Sequence, residues 1–477
     1  LSVATASPDR GRRGGIGLLA RALALAATLG CALAGAPAAR AGGLVEAWRS
    51  AQRHDAELDI ARASRAAGVA RAMQAGALWQ PQVGLSATAG IGRAETSVDG
   101  ARFAAPGFGA SDGVAFRTAV DGPSARLALA ARQPLWSGER RAQSRQLELS
   151  AHAAELEWRA AEQQAMLRVA ERWLELSLAQ ASVRVVERQR VALERTVSEA
   201  TERWRIGDAP VLGTHEARAR HEAVRAQRLA AETERELRAI ALADLTGLPS
   251  GGLRPGLPVR MPSAGSAGPL ERWLADAASA HPGILAREAA LRIAIEDAAR
   301  HARGAGASVD LVAQASRDRI SGNGDFGPAA SAATQALVGV QLNLPLWTGG
   351  MREARHEEAL RGVERAQAEL ERARRDAARA VRAAWLGLTA GAARVEALEQ
   401  ARIAGAARLA STLTGHEVGD RTTLDVLNAQ NDAAQVELAL VQARVAVLLD
   451  RLRLDALAGR LDESGLADID AALEAER

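Results

Sequence analysis

Few residues in this chain have the types and spacing that chemistry requires. Gly322-Asn323-Gly324-Asp325-Phe326-Gly327 has the glycine spacing that lets a backbone approach a dinucleotide pyrophosphate. Gly109-Ala110-Ser111-Asp112-Gly113 has the spacing of a nucleophile elbow. The first falls between two predicted strands with no helix after it, and the second in a predicted loop. Neither has the strand-to-helix context that gives such a motif its function, so both read as solvated loop tips. His215 and His221 are six apart on a predicted helix. They face different sides and cannot chelate one metal as an i, i+4 pair can. With no convergent set of titratable groups, the expectation is no catalytic residue, no metal site and no cofactor.

The elements around these motifs explain more. All 60 basic residues are Arg, there is no Tyr, and the chain holds only 4 Phe. Alanine and arginine favour helix, whereas a packed sandwich would need more β-branched and aromatic residues. Arg10, Arg12 and Arg13 precede a small, apolar run from Ala22 to Ala39, which ends Ala39-Arg40-Ala41 before Gly42. That is the pattern of a secretory signal over residues 1–41, cleaved between Ala41 and Gly42. The formal charge of +3 then loses its meaning, because 55 basic and 56 acidic residues remain, a balance of −1. The case for nucleic acid as a partner goes with it. Cys31, the only cysteine, falls inside the signal, so residues 42–477 form no disulfide among themselves.

The remainder reads as one unit written twice. Gln133-Pro134-Leu135-Trp136-Ser137-Gly138 recurs as Leu344-Pro345-Leu346-Trp347-Thr348-Gly349, Ile206-Gly207-Asp208 as Val418-Gly419-Asp420, and Trp48 matches Trp273. The expected layout is a first repeat over 42–247, a Pro/Gly-rich linker over 248–269, a second repeat over 270–460 and a tail over 461–477. Each repeat reads helix, strand, strand, long helix, helix. In the first, a helix over 44–79 stops at Pro81, a strand alternates from Val83 to Ile91, and a loop leads to a second strand from Arg126 to Leu135. Glu139 to Ile206 then lacks Gly and Pro, and a further helix runs from Val211 to Thr246.

Two apolar stripes on opposite sides of the long helix predict neighbours on both sides, as in a coiled-coil wall. One comprises Leu167, Ala170, Leu174, Leu178, Ala181 and Val185; the other Val169, Trp173, Leu176, Ala179, Val183 and Val186. Residues 72–92 and 326–351 carry no charge. Their proline and strict period-2 pattern favour membrane β-strands over a membrane helix. Four strands of about ten residues match a crossing. Four strands cannot close a barrel, however, and an open edge is not tolerated in lipid. The chain must therefore oligomerise: two copies give a narrow barrel whose lumen side chains would fill, and three a wider one that could pass cargo. Trp136 and Trp347, each at the end of a second strand, suit interfacial aromatics. A periplasmic coiled-coil tether without a pore is the rival reading, and the duplicated strand pair opposes it.

These features resemble the TolC family of outer-membrane efflux and secretion channels. The resemblance rests on Trp79-Gln80-Pro81-Gln82-Val83-Gly84-Leu85, on the two Pro-Leu-Trp-Ser/Thr-Gly motifs, and above all on Val418-Gly419-Asp420-Arg421-Thr422-Thr423-Leu424-Asp425-Val426-Leu427-Asn428-Ala429. It implies a mixed α and β fold: a homotrimeric, 12-stranded β-barrel, four strands per chain, continued by a long α-helical periplasmic tunnel. It implies a Gram-negative outer-membrane location in contact with lipid, a periplasmic adaptor (membrane fusion protein), and an inner-membrane ABC or other pump. It places the adaptor at the turns holding Gly207, Asp208, Val211 and Leu212 and holding Gly419, Asp420 and Leu424. It also implies a closing ring of acids at Asp425, with Asn428 in the second acidic place and Arg421 holding neighbouring tips together. The acidic partner of that arginine falls at Gly213, a departure from the family pattern. Asp425 also suits a plain cap at the start of the last long helix. Type I secretion of a protein toxin is the expected task, with multidrug efflux as the alternative. N-terminal sequencing of the exported protein is expected to begin at or near Gly42; a lipid-modified Cys31 at the start would overturn the cleavage assignment.

Overall fold

The computed structural model describes residues 43–474 apart from 108, 254, 259–267, 303–305 and 326. The expected signal and its cleavage point at Ala41 and Gly42 lie outside them. Helices α1 (Leu44–His54) and α2 (Ala56–Ala77) replace the single helix expected over 44–79. The break is at Asp55, whose backbone is extended at φ −71°, ψ 112°. Its carboxylate accepts the Glu57 N–H at 2.9 Å and pairs with Arg168 at 2.8 Å. An aspartate that satisfies an orphan N–H starts a new helix, and the resulting bend buries Leu44, Ala47, Trp48 and Ala51.

Strand β1 (Gln82–Ala105) pairs with β2 (Gly109–Ser137), β2 with β4 (Ser308–Gly324), and β4 with β5 (Gly327–Asn343), all antiparallel in the order β1-β2-β4-β5. The strands hold 24, 29, 17 and 17 residues, not ten, and the loop expected between Ile91 and Arg126 is a continuous hairpin. Pairing persists there through Arg93↔Asp121 and Thr96↔Thr118. Once both faces of a strand are polar, period 2 disappears from the sequence while the backbone ladder continues. The two glycine-rich motifs lie at the hairpin ends: Gly109 opens β2, Gly324 closes β4 and Gly327 opens β5.

The long helices are α3 (Gly138–Arg205, 68 residues) and α7 (Met351–Glu417, 67 residues), each about 100 Å at 1.5 Å per residue. Between them run α4 (Val211–Thr246), α5 (Leu270–Ala280) and α6 (Pro282–His301); α8 (Thr423–Leu457) and α9 (Glu463–Ala472) follow. The break between α5 and α6 falls at His281, whose Nδ1 accepts the Ile284 N–H, with Pro282 at the first helical position. Burial pushes the His281 pKa down, which keeps the imidazole neutral and able to accept. A two-residue pairing of β3 (Leu257–Pro258) with β6 (Leu473–Glu474) completes the elements.

Helix α3 packs against α2 and α4 on one side and against α6 and α8 on the other. Both expected stripes are used: Ala170, Leu174, Ala181 and Val185 are buried, as are Val169, Trp173, Leu176 and Ala179. Helix α7 packs on α5, α6 and α8, all on its own side of the chain. Ile403 and Leu386 on α7 remain 52% and 57% exposed, and Ile60 and Leu229 beyond α3 remain 67% and 59% exposed. The largest core gathers around the middle of α3 and includes Trp48, Trp173, Leu242, Leu448 and Leu466. Removing a buried indole from such a site costs about 3–5 kcal/mol. Trp173→Ala should therefore lower the thermal midpoint followed by far-UV circular dichroism, while Ile403→Ala should leave a single isolated chain unaffected.

Candidate gate, tips and barrel lining

The two long hairpins end in the same backbone turn. After α3, Gly207 has φ +82°, and its N–H reaches Trp204 O at 3.0 Å while Asp208 N–H reaches Arg203 O at 2.8 Å. After α7, Gly419 has φ +81°, and its N–H reaches His416 O at 3.2 Å while Asp420 N–H reaches Gly415 O at 2.8 Å. This is a Schellman stop, which needs a left-handed residue and so selects glycine. The turns project apolar side chains left uncovered among the described residues: Ile206 is 71% exposed and Val418 76%, with Val211, Leu212 and Leu424 also exposed.

The restarts differ. Helix α4 begins after Pro210 with no side-chain cap. Helix α8 begins with a capping box in which Asp425 N–H donates to Thr422 Oγ1 at 3.1 Å, while Asp425 Oδ2 accepts from Thr422 N at 2.9 Å. Thr422 Oγ1 also donates to that oxygen at 2.8 Å. These bonds from Thr422, and then the nearby charges of Arg421 and Arg408, hold the Asp425 pKa below the usual carboxylate value. Val426, Leu427, Ala429 and Gln430 turn inward against α3 and α4, leaving Asp425, Asn428 and Asp432 along the other side at spacings of three and four. Arg421 lies before the cap, not one helical turn from Asp425 within a helix. Among the described residues its guanidinium makes no ion pair. A Cβ on Gly213 would stand 3.3 Å from Thr423 Oγ1, so the two tips meet closely at this departure from the family pattern.

A tie missed in the sequence joins the tips. Arg203 pairs with Asp208 at 2.8 Å and its Nη1 donates to His416 O at 3.4 Å. His416 Nδ1 lies 2.9 Å from Arg421 O. A carbonyl only accepts, so Nδ1 carries the proton, and Nε2, 3.4 Å from Arg203 Nη1, is free to accept. The link spans 213 positions, and no local spacing announces it.

At the other end, alternate strand residues line two faces. Arg132, Asp310, Gln314, Ser316 and Gln341 share one, where Asp310 and Ser316 are nearly inaccessible. Val83, Leu85, Leu129, Leu311, Val338 and Val340 share the other and stand exposed. Arg132 pairs with Asp310 and Arg126 with Asp318 on the polar face. Arg93 pairs with Asp121, Arg117 with Glu95 and Arg102 with Asp112 farther along the first hairpin. Trp136 lies within β2 next to its last residue, but Trp347 falls outside β5, which ends at Asn343. The same Pro-Leu-Trp motif therefore has two structures. At this motif β2 still pairs with β4 and absorbs the proline through a bulge between Pro134 and Trp136, whereas residues 344–350 lack a ladder partner and Pro345 cannot donate.

A family model described as outer membrane efflux protein matches residues 48–248 and 273–460. The chain belongs to the outer membrane efflux protein family. This is the TolC family that the motifs resemble, a family of Gram-negative outer-membrane channels with a large periplasmic helical part. The chain is 34% identical to the outer membrane efflux protein BepC of Brucella suis biovar 1 over 195 residues, which span 40% of this chain and only 42% of BepC. It is 25% identical to the proteases secretion protein PrtF of Dickeya chrysanthemi across 91% of both chains. The solved structure of VceC from Vibrio cholerae superposes with a TM-score of 0.70 at 23% identity, covering 87% of this chain and 96% of VceC, which establishes a shared fold. The fold class is the family's, four barrel strands per chain continued by long helices. Among the described residues no helix is long and apolar enough to cross a membrane, and no group of metal-binding side chains occurs.

A depressed folded-state pKa means that the ionised Asp425 contributes stability above its unfolded pKa and loses it as pH falls through the lower folded value. Thr422→Ala removes the hydroxyl partner and should raise the Asp425 pKa toward that of an ordinary aspartate. Carboxylate carbon shifts of selectively labelled protein, titrated in acid, measure it; an unchanged midpoint would exclude the Thr422 hydroxyl as a cause and leave the Thr422 backbone N–H.

Proposed function

We propose that three copies of this chain around one axis form the outer-membrane conduit of a three-part export system. The observation that carries the reading is the four-stranded sheet with both outer edges, on β1 and β5, unpaired among the described residues. An unpaired edge is not viable in hydrocarbon. Joining β5 of one copy to β1 of the next satisfies it, and three copies give twelve strands. The uncovered apolar residues of α7 and of α2 with α4 supply matching helical seams for the same closure. In this reading residues 42–247 and 270–460 are duplicated halves joined by 248–269, and 461–477 form a C-terminal tail.

The tips at Gly207-Asp208 and Gly419-Asp420 lie farthest from the sheet. Their exposed Ile206, Leu212, Val418 and Leu424 suit docking of a periplasmic adaptor, which would connect to an inner-membrane pump. Three copies of Asp425 and Asn428 around the axis would form the constriction, with Arg421 free to reach a neighbouring tip. Protein secretion is the favoured task, because PrtF, named for protease secretion, matches along 91% of both chains. Drug efflux is the other reading, favoured by the higher identity to BepC over a shorter stretch.

Single-channel recording in planar bilayers tests the conduit. The wild type should conduct at a low resting level and prefer cations, since an acidic ring attracts and concentrates them. Asp425→Ala should weaken cation selectivity and block by polyvalent cations, and Arg421→Ser should raise the resting conductance. Selectivity and block that survive Asp425→Ala would confine this residue to helix capping. Deleting the gene and comparing secreted protein with drug susceptibility would separate the two cargo readings.

A further inference from the structure

We infer that Arg317 and Arg319 bind the phosphate groups of a phosphorylated glycolipid in the outer leaflet of the membrane. The inference rests on the sheet lying in the outer membrane. The four strands carry seven arginines. Five are paired with acids of the chain, as described above. Among the described residues Arg317 and Arg319 have no acidic partner, and both are exposed.

Their register places them on the apolar, lipid-facing side. Arg317 lies opposite Leu127 and Thr334, and Arg319 opposite Ala125 and Ala332. Below them on the same face of β4 come Ala315, Ala313, Leu311 and Val309. Trp136, paired with Val309, marks the lower edge of the band. Arg317 is nine residues beyond Ser308. At ~3.3 Å per residue and a strand tilt of ~40°, that is ~23 Å of height, and Arg319 reaches ~28 Å. The apolar band of an outer-membrane barrel is about 25 Å tall. Arg319 therefore emerges at the level of the outer headgroups, and the long Arg317 side chain reaches that level from just below the upper edge of the band.

An unpaired arginine on the lipid face is strongly disfavoured in hydrocarbon, so a counter-charge at that level is the natural partner. Guanidinium binds phosphate through paired N–H groups in a fixed fork. Two forks on one strand face, about 7 Å apart along the chain, can grip adjacent phosphates. Thr334, Ala125 and Ala332 are small enough to let a bulky sugar headgroup approach.

The test uses the full-length protein in neutral detergent and diphosphoryl lipid A as probe, with retained lipid measured by mass spectrometry of the folded assembly. The wild type should retain lipid A about tenfold more strongly than Arg317→Ala/Arg319→Ala. Dephosphorylated lipid A should bind wild type and variant alike, and Arg126→Ala, on the opposite face, should behave as wild type. Should the double alanine variant fail to assemble, Arg317→Gln and Arg319→Gln separately should each show part of the loss. Equal retention by wild type and folded variants overturns the proposal, as does full displacement by inorganic phosphate, which would indicate a free-anion site. Conductance of the same preparations is independent: a variant that conducts normally while losing lipid supports the lipid site, and a wild type that never conducts counts against the channel reading.

Discussion

Hydrocarbon offers a peptide group no hydrogen-bond partner, and this constraint shapes the whole chain. Four strands satisfy one another internally and leave two edges, so the sheet cannot be complete in a single copy. The helices repeat the same incompleteness in a weaker form. Helix α3 is covered on both sides, while α7 and the α2–α4 side each leave large apolar residues outward. The edge that lipid forbids and the seam that water disfavours lie on the same two flanks. One closure event answers both, which is why an elongated chain of this length needs no broad globular core.

Arginine handles nearly all the positive charge. Where the barrel lining must bring charge inside, Arg126 and Arg132 meet Asp318 and Asp310 across β2 and β4. The planar fork suits such fixed pairing better than a mobile ammonium would. At the tips the same residue type works differently: Arg203 holds Asp208 and reaches the backbone of the other hairpin. Exposed pairs of this kind contribute only about 0–1 kcal/mol each, so a network of them gives a tip that holds without locking.

Much of this was legible in sequence because the signals were local. Val211 to Thr246 is bounded by Pro210 and by Gly247 at φ +69°, and both ends were read correctly. The double stripe on α3 was visible because each stripe repeats at helical spacing. The breaks at Asp55 and His281 were missed, although Pro282 at a first helical position was a usable sign. Long apolar-periodic runs masked them. The upper half of the β1–β2 hairpin was unreadable for a physical reason: outside the membrane neither face is apolar, so pairing leaves no alternation. Trp347 was misplaced because two identical motifs have different neighbours, and neighbours are not written in a motif. The capping role of Asp425 was visible in Thr422-Thr423-Leu424-Asp425, whereas any role at a constriction depends on copies of the chain that a single sequence does not place.

The waist joins the two ends of the described chain. Leu44 N–H donates to the carboxylate of Asp470 at 2.9 Å, across 426 positions, and β3 meets β6 beside it. Contacts of such separation form late, because the intervening chain must be ordered before they reward closure. The collar therefore acts as a completion mark for the fold. A chain truncated near its end keeps the four-stranded sheet and both long hairpins, yet it lacks α9 and β6, the segment that seats α1. Loss of α9 and β6 should be felt as a maturation defect, far from both the membrane and the tips.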